Sequence, residues 1–72
     1  MPIQPKPLNK SRTPATANAW QTLAVLAIQR AEKLGDRRAF GLKIALNQGQ
    51  VEKTLRLMGI ICEADLQREF PT

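Results

Sequence analysis

Few side chains in this sequence can attack a substrate, exchange protons near neutrality or hold a metal. There is no histidine and no tyrosine, so the commonest metal ligand and the commonest general base are both missing. Cys62 is the sole cysteine, which excludes an intrachain disulfide and a cysteine-based zinc site within one chain. Its expected place at the start of a helix would favour a thiolate through the helix dipole and the unbonded N–H groups there. Glu63 and Asp65 beside it act the other way, and no base lies near in sequence, so Cys62 reads as a structural residue. The carboxylates stand at helical spacings among basic residues, such as Glu32 near Asp36 and Glu52 near Arg56, a pattern of weak surface pairs. The glycines (Gly35, Gly41, Gly49 and Gly59) are isolated and form no phosphate loop. The expectation is a non-enzymatic chain without metal or cofactor.

The residues that could bind a partner are cations. Arg37 and Arg38 fall in the expected first turn of a helix, where positive charge opposes the macrodipole. One reading places them for an anion, together with the N–H groups of the helix end; the other has Asp36 and Glu32 neutralise them locally. A helix-turn-helix frame adds further candidates. It needs a small residue where two helices cross, a glycine in the turn and apolar residues that lock the second helix on the first. With Gly49 as the turn, Ala45 is the small residue and Ile44, Leu55 and Met58 take the locking positions, although Gln48 and Gln50 stand at flanking positions that are usually apolar. The second helix of that frame would present Gln50, Glu52, Lys53, Thr54 and Arg56, with Lys53 and Arg56 able to reach phosphates and bases.

A second frame uses Gly59. Residues 55–60, followed by 62–70, resemble the ending of a Fis-type helix-turn-helix, in which a Leu-Gly-Ile turn precedes a short recognition helix. The fit needs one extra residue at Ile61. The implied recognition helix carries Glu63, Asp65 and Glu69 against Arg68 alone, and three carboxylates facing phosphates oppose binding. The Gly49 frame is therefore preferred.

Charge is distributed unevenly. The chain of 72 residues carries +5. Residues 1–18 hold Lys6, Lys10 and Arg12 without an acid, whereas residues 19–72 hold eight Lys/Arg and six Asp/Glu. More than half of the excess thus lies in a segment rich in proline (Pro2, Pro5, Pro7, Pro14), which removes backbone donors and favours extended conformations. Its apolar content is too low to offset the entropy of ordering, so residues 1–17 read as a disordered basic tail and residues 18–72 as the helical domain. No apolar run approaches the ~18 residues of a membrane span, and prolines stand where a signal peptide would have its apolar stretch. With one cysteine, a reducing, cytoplasmic location is expected.

The elements that must position these residues follow from periodicity. The first helix should start between Thr13 and Ala19, capped by Thr13 ahead of Pro14 or by Asn18 with Gln21 three residues on. Its stripe of Trp20, Leu23, Ala24, Ala27, Ala31 and Leu34 keeps to one face, and Gly35 ends it. Leu23, Ala27 and Leu34 are the expected buried residues. Asp36 should cap a second helix to about Asn47, with Ala39, Leu42 and Leu46 on one side and Phe40 and Ile44 on the other. The alternation of Phe40, Leu42, Ile44 and Leu46 also has the period of a strand, but the aspartate cap and the scarcity of β-branched residues favour helix. A two-sided helix in so short a chain suggests cover from a neighbour, such as the second subunit of a dimer. A third helix is expected over 50–58, ended by Gly59 with Ile60 folding back on Leu55, and a fourth over 63–70, begun at Cys62 and stopped by Pro71.

The sequence thus predicts an all-α fold, a small bundle of three or four short helices behind a disordered basic N-terminal tail. Burial on folding reaches only roughly 60% at this size, and such chains commonly need a partner subunit or well-packed helices. The expected function is charge-driven nucleic-acid binding, DNA ahead of RNA, through a helix-turn-helix-like hairpin in a homodimer. Arg37 and Arg38 would hold phosphates, Lys53 and Arg56 would face the groove, and Lys6, Lys10 and Arg12 would form a mobile arm. The alternative is a protein-interaction module or inhibitor that docks an apolar helical face on a larger partner. A contiguous basic face would favour the first. An exposed patch at Trp20, Phe40 or Phe70 with scattered charge would favour the second.

Overall fold

A computed structural model describes residues 14–72, and they form four helices with no strand among them: α1 (Ala17–Leu34), α2 (Arg38–Gln48), α3 (Val51–Leu57) and α4 (Glu63–Glu69). The expected tail, with Lys6, Lys10 and Arg12, lies almost wholly outside the described residues. The cap of α1 is neither of the two expected from sequence. Thr16 takes it, in extended conformation, and its hydroxyl oxygen accepts the Ala19 N–H at 3.1 Å. Thr16 wins because it lies one turn ahead of the buried stripe, whereas an Asn18 cap would leave the turn before Trp20 unbonded. The Trp20 N–H instead donates to the Thr16 carbonyl.

The stripe on α1 is the centre of the core. Trp20, Leu23, Ala24, Ala27, Ile28 and Ala31 are all buried, and α1 is the one helix that packs against the other three. Leu34 departs from expectation: it is 46% exposed. It belongs to the last turn before the chain reverses at Gly35, so the stripe outruns the elements that cover it. Ala24, Ala27 and Ala31 share one buried cluster with Ala39 of α2, and Ala45 of α2 is buried as well. Small side chains on both partners let the two helix backbones approach closely.

Residues 38–48 are helical, so the strand alternative for 40–46 is not adopted. Asp36 Oδ1 accepts the Arg38 N–H at 2.9 Å, which supplies the expected cap. At the other end Gly49 adopts φ 72°, and its N–H and that of Gln50 return to the α2 carbonyls; a side chain there would be strained in this left-handed conformation. After α3, the Ile60 N–H donates to the Leu55 carbonyl at 2.9 Å and that of Gly59 to Arg56. Ile60 and Leu55 are both fully buried, which is the Schellman closure with its hydrophobic contact. At the start of α4, Asp65 Oδ2 accepts the Ile61 N–H at 2.9 Å and the Cys62 thiol at 3.5 Å. Cys62 is buried and unpaired. Its neighbour Asp65 is held below the usual carboxylate range, chiefly by the Ile61 N–H. Leu66 and Phe70 then close the core from below α1.

Candidate interaction face

The adjacent arginines at the start of α2 have different fates. Arg38 is clasped. Its guanidinium bonds both oxygens of Asp36 (2.7–3.2 Å), reaches Glu69 Oε1 at 3.1 Å and donates to the Glu69 carbonyl at 3.2 Å. The same group stacks 4.4 Å from the centroid of the buried Phe70 ring, a favourable cation–π geometry. These bonds join the α1–α2 turn to the end of α4. They also hold the Asp36 carboxyl down at about 2, through the Arg38 side chain first and its backbone N–H second, and they push the Arg38 pKa up. Arg37, one residue earlier, is exposed and makes no ion pair among the described residues. The local neutralisation expected from Asp36 and Glu32 is thus divided: Asp36 takes Arg38, and Glu32 pairs with Lys43 of α2.

The α3 cations divide in the same way. Arg56 pairs with Glu52 at 3.0 Å and lies 5.1 Å from the Trp20 ring centroid, whereas Lys53 is exposed without an ion pair. Arg68 bonds Asp65, Glu69 and the Gly59 carbonyl. Arg30 donates to Gln67 and Thr72. The cations of the described residues without an ion pair are therefore Arg30, Lys33, Arg37 and Lys53, and the one such acid is Glu63. Of the four structured candidates, Arg37 and Lys53 present their charge outward while Arg38 and Arg56 spend theirs within the chain. The tail candidates Lys6, Lys10 and Arg12 lie outside the described residues.

The hairpin at Gly49 has the left-handed turn, the buried Ala45 and the buried Leu55 that the helix-turn-helix frame requires. Ile44, expected to lock the two helices, instead faces outward at 42% exposure. Its register on α2 explains this: the buried residues Ala39, Leu42 and Ala45 define the inner face, and Ile44 lies about half a turn from Leu42. Helix α3, with 7 residues, is about two turns long.

Among the described residues the fold leaves Val25, Leu34, Phe40, Ile44 and Leu57 exposed, and of these Phe40 and Ile44 share the outer face of α2. Trp20 and Phe70 are buried, but Phe40 is 72% exposed. Phe40 and Ile44 are spaced i,i+4 and so are neighbours on the helix surface. Arg37 has helical backbone angles (φ −64°, ψ −21°), which extends the same surface by one turn in an i, i+3, i+7 series. Sequence periodicity separated Phe40 and Ile44 from the Ala39–Leu42 side, but it could not say which of two apolar sides the core would take. It gave no sign of the Arg38–Glu69–Phe70 clasp, whose partners are some thirty residues apart.

The chain matches no protein-family model, and no curated protein or solved structure matches it. Among the described residues no helix is long and apolar enough to cross a membrane.

Proposed function

We propose that this chain is a non-catalytic protein-interaction module that docks the outer face of α2 on a partner. The observation that carries the reading is Phe40, a large aromatic ring 72% exposed beside Ile44 on a helix whose opposite face already fills the core. Exposed apolar residues scattered singly are ordinary on a protein surface; an aromatic anchor with an aliphatic neighbour on one helical face is how helices engage partners. The distribution of charge supports the same reading. Five of the six acids in residues 14–72 are paired with cations of the chain, which leaves Arg30 and Lys33 on α1, Arg37 ahead of α2 and Lys53 on α3 as the cations without an ion pair there.

The test is photo-crosslinking in the cells that make the protein, with a benzophenone amino acid at position 40 and, as the control, at the exposed Gln29. Discrete protein adducts at 40 and not at 29 are expected. Equal labelling at both positions, or none at either, would overturn the reading.

A second reading is nucleic-acid binding, and the outward charges of Arg37 and Lys53, with Lys33 and the tail cations Lys6, Lys10 and Arg12, are what favour it. Each neutralised phosphate contributes a slope of about −0.9 in log K against log salt on duplex DNA. With Arg38 and Arg56 engaged inside the chain, Arg37, Lys53, Lys33 and the three tail cations allow a slope of at most about −5.4. A steeper slope would require the clasp to open. No binding at low salt would remove this reading altogether.

A further inference from the structure

On the docking reading, on which this step rests, we infer that the partner surface is an acidic amphipathic helix, laid along α2 with an apolar side chain between Phe40 and Ile44 and a carboxylate at Arg37. Two observations carry it, independent of the exposed ring itself. The first is Gly41. It stands in the second turn of α2 with no positive φ, and a Cβ built on it would meet nothing within 4 Å. Neither turn geometry nor packing inside the chain calls for glycine there, and glycine is the least favourable helix residue after proline. What it does provide is a low point on the outer face, beside Phe40 and one turn before Ile44, where a second helix backbone can approach α2 closely.

The second observation is charge. Helix α2 contains no carboxylate. Arg37 at its start is exposed without an ion pair among the described residues, and Lys43 uses Glu32 of α1. The rim of the apolar patch is thus positive, with its one unmet charge three residues from Phe40. A partner with glutamates or aspartates flanking an apolar stripe satisfies that charge and is steered toward a chain of net +5. A second copy of this chain fits less well, because it brings the same Arg37 and the same +5 and offers no carboxylate from its own α2. A contact confined to one short helix face also belongs with transient interactions rather than with obligate dimers.

The test uses the full chain and three fluorescently labelled synthetic helices in an anisotropy titration at low and physiological salt. One has a leucine stripe flanked by glutamates, one the same stripe flanked by lysines, and one the glutamates with serines in place of the leucines. Binding of the first alone is expected, weakened about tenfold or more by Phe40→Ala. Arg37→Glu should weaken it and shift preference toward the lysine helix. Gly41→Ala should raise the melting temperature by a few degrees while weakening binding, opposite signs that a purely structural glycine would not give. Equal binding of the glutamate and lysine helices, unmoved by Arg37→Glu, would overturn the acidic partner yet leave apolar docking intact. Equal binding of the serine helix would mark a polyanion site instead. Sedimentation showing a dimer that Phe40→Ala dissolves would make the occupant a second copy. Failure to bind any of the three also overturns the inference, and the crosslink at position 40 then judges the docking reading separately.

Discussion

The inner and outer faces of α2 carry similar side chains and have opposite fates. Ala39, Leu42 and Ala45 are buried against α1 and α3, while Phe40 and Ile44, the bulkier pair, face solvent. Hydrophobicity alone would have put phenylalanine inside. The alanines win because α1 presents Ala24, Ala27 and Ala31 along its buried face, and two small-residue faces allow a close helix–helix approach that a phenylalanine would hold apart. Arginine repeats the contrast at the start of the helix. Arg38 is fixed between Asp36, Glu69 and Phe70, and Arg37 is left outward. One side of α2 therefore serves stability and the other is available for binding, and each can be perturbed without the other.

The largest effect should come from the inner face. Leu42→Ala removes a fully buried side chain, at a cost of about 2–5 kcal/mol. A domain of this size has only about 3–9 kcal/mol in total, so the variant should be largely unfolded by circular dichroism at room temperature. A cooperative, near-native urea transition would mean that α2 is not part of the core.

Next in size is the clasp. Arg38→Ala should cost about 1–2 kcal/mol, the sum of two half-exposed ion pairs and one cation–π contact, read as a lower urea midpoint with unchanged slope. The same clasp sets an acid dependence. Because Asp36 titrates at about 2 in the folded chain against an ordinary 3.8, its ionised form favours folding. That contribution is fully present above pH 3.8 and is lost as pH falls through 2. Asp65, also lowered, acts with the same sign. Arg38→Gln should flatten the Asp36 part of the acid transition. An acid profile identical to that of the parent chain would show that the clasp does not persist in solution.

The smallest effect belongs to the outer face. Arg37→Ala and Phe40→Ser should each change stability by no more than about 0.5 kcal/mol, within the error of a melting curve, although they alter the residues proposed to bind. A large loss of stability from Phe40→Ser would show that the ring packs within the chain and would withdraw it as a docking residue.

The all-α class, a count of three or four short helices and most of their ends are legible in the residues alone. Those features rest on short-range physics. Apolar spacing of three and four sets a helical face, glycine supplies the left-handed stop at Gly49 and Gly59, and Asp36 bonds an N–H two residues away. Even here competition among near neighbours was not resolved, and Thr16 displaced both expected caps. Long-range packing settles which of two apolar faces of α2 lies inside and which cations are left without an ion pair. Both depend on residues remote in the chain, Ala24, Ala27 and Ala31 for the first and Glu69 and Phe70 for Arg38, whereas Arg56 pairs with Glu52 only four residues away. Arg37 and Arg38 are the same residue type in the same helical turn, and no local signal separates them. The fold does, because side chains one position apart on a helix point about 100° apart, and only one of them faces the end of α4.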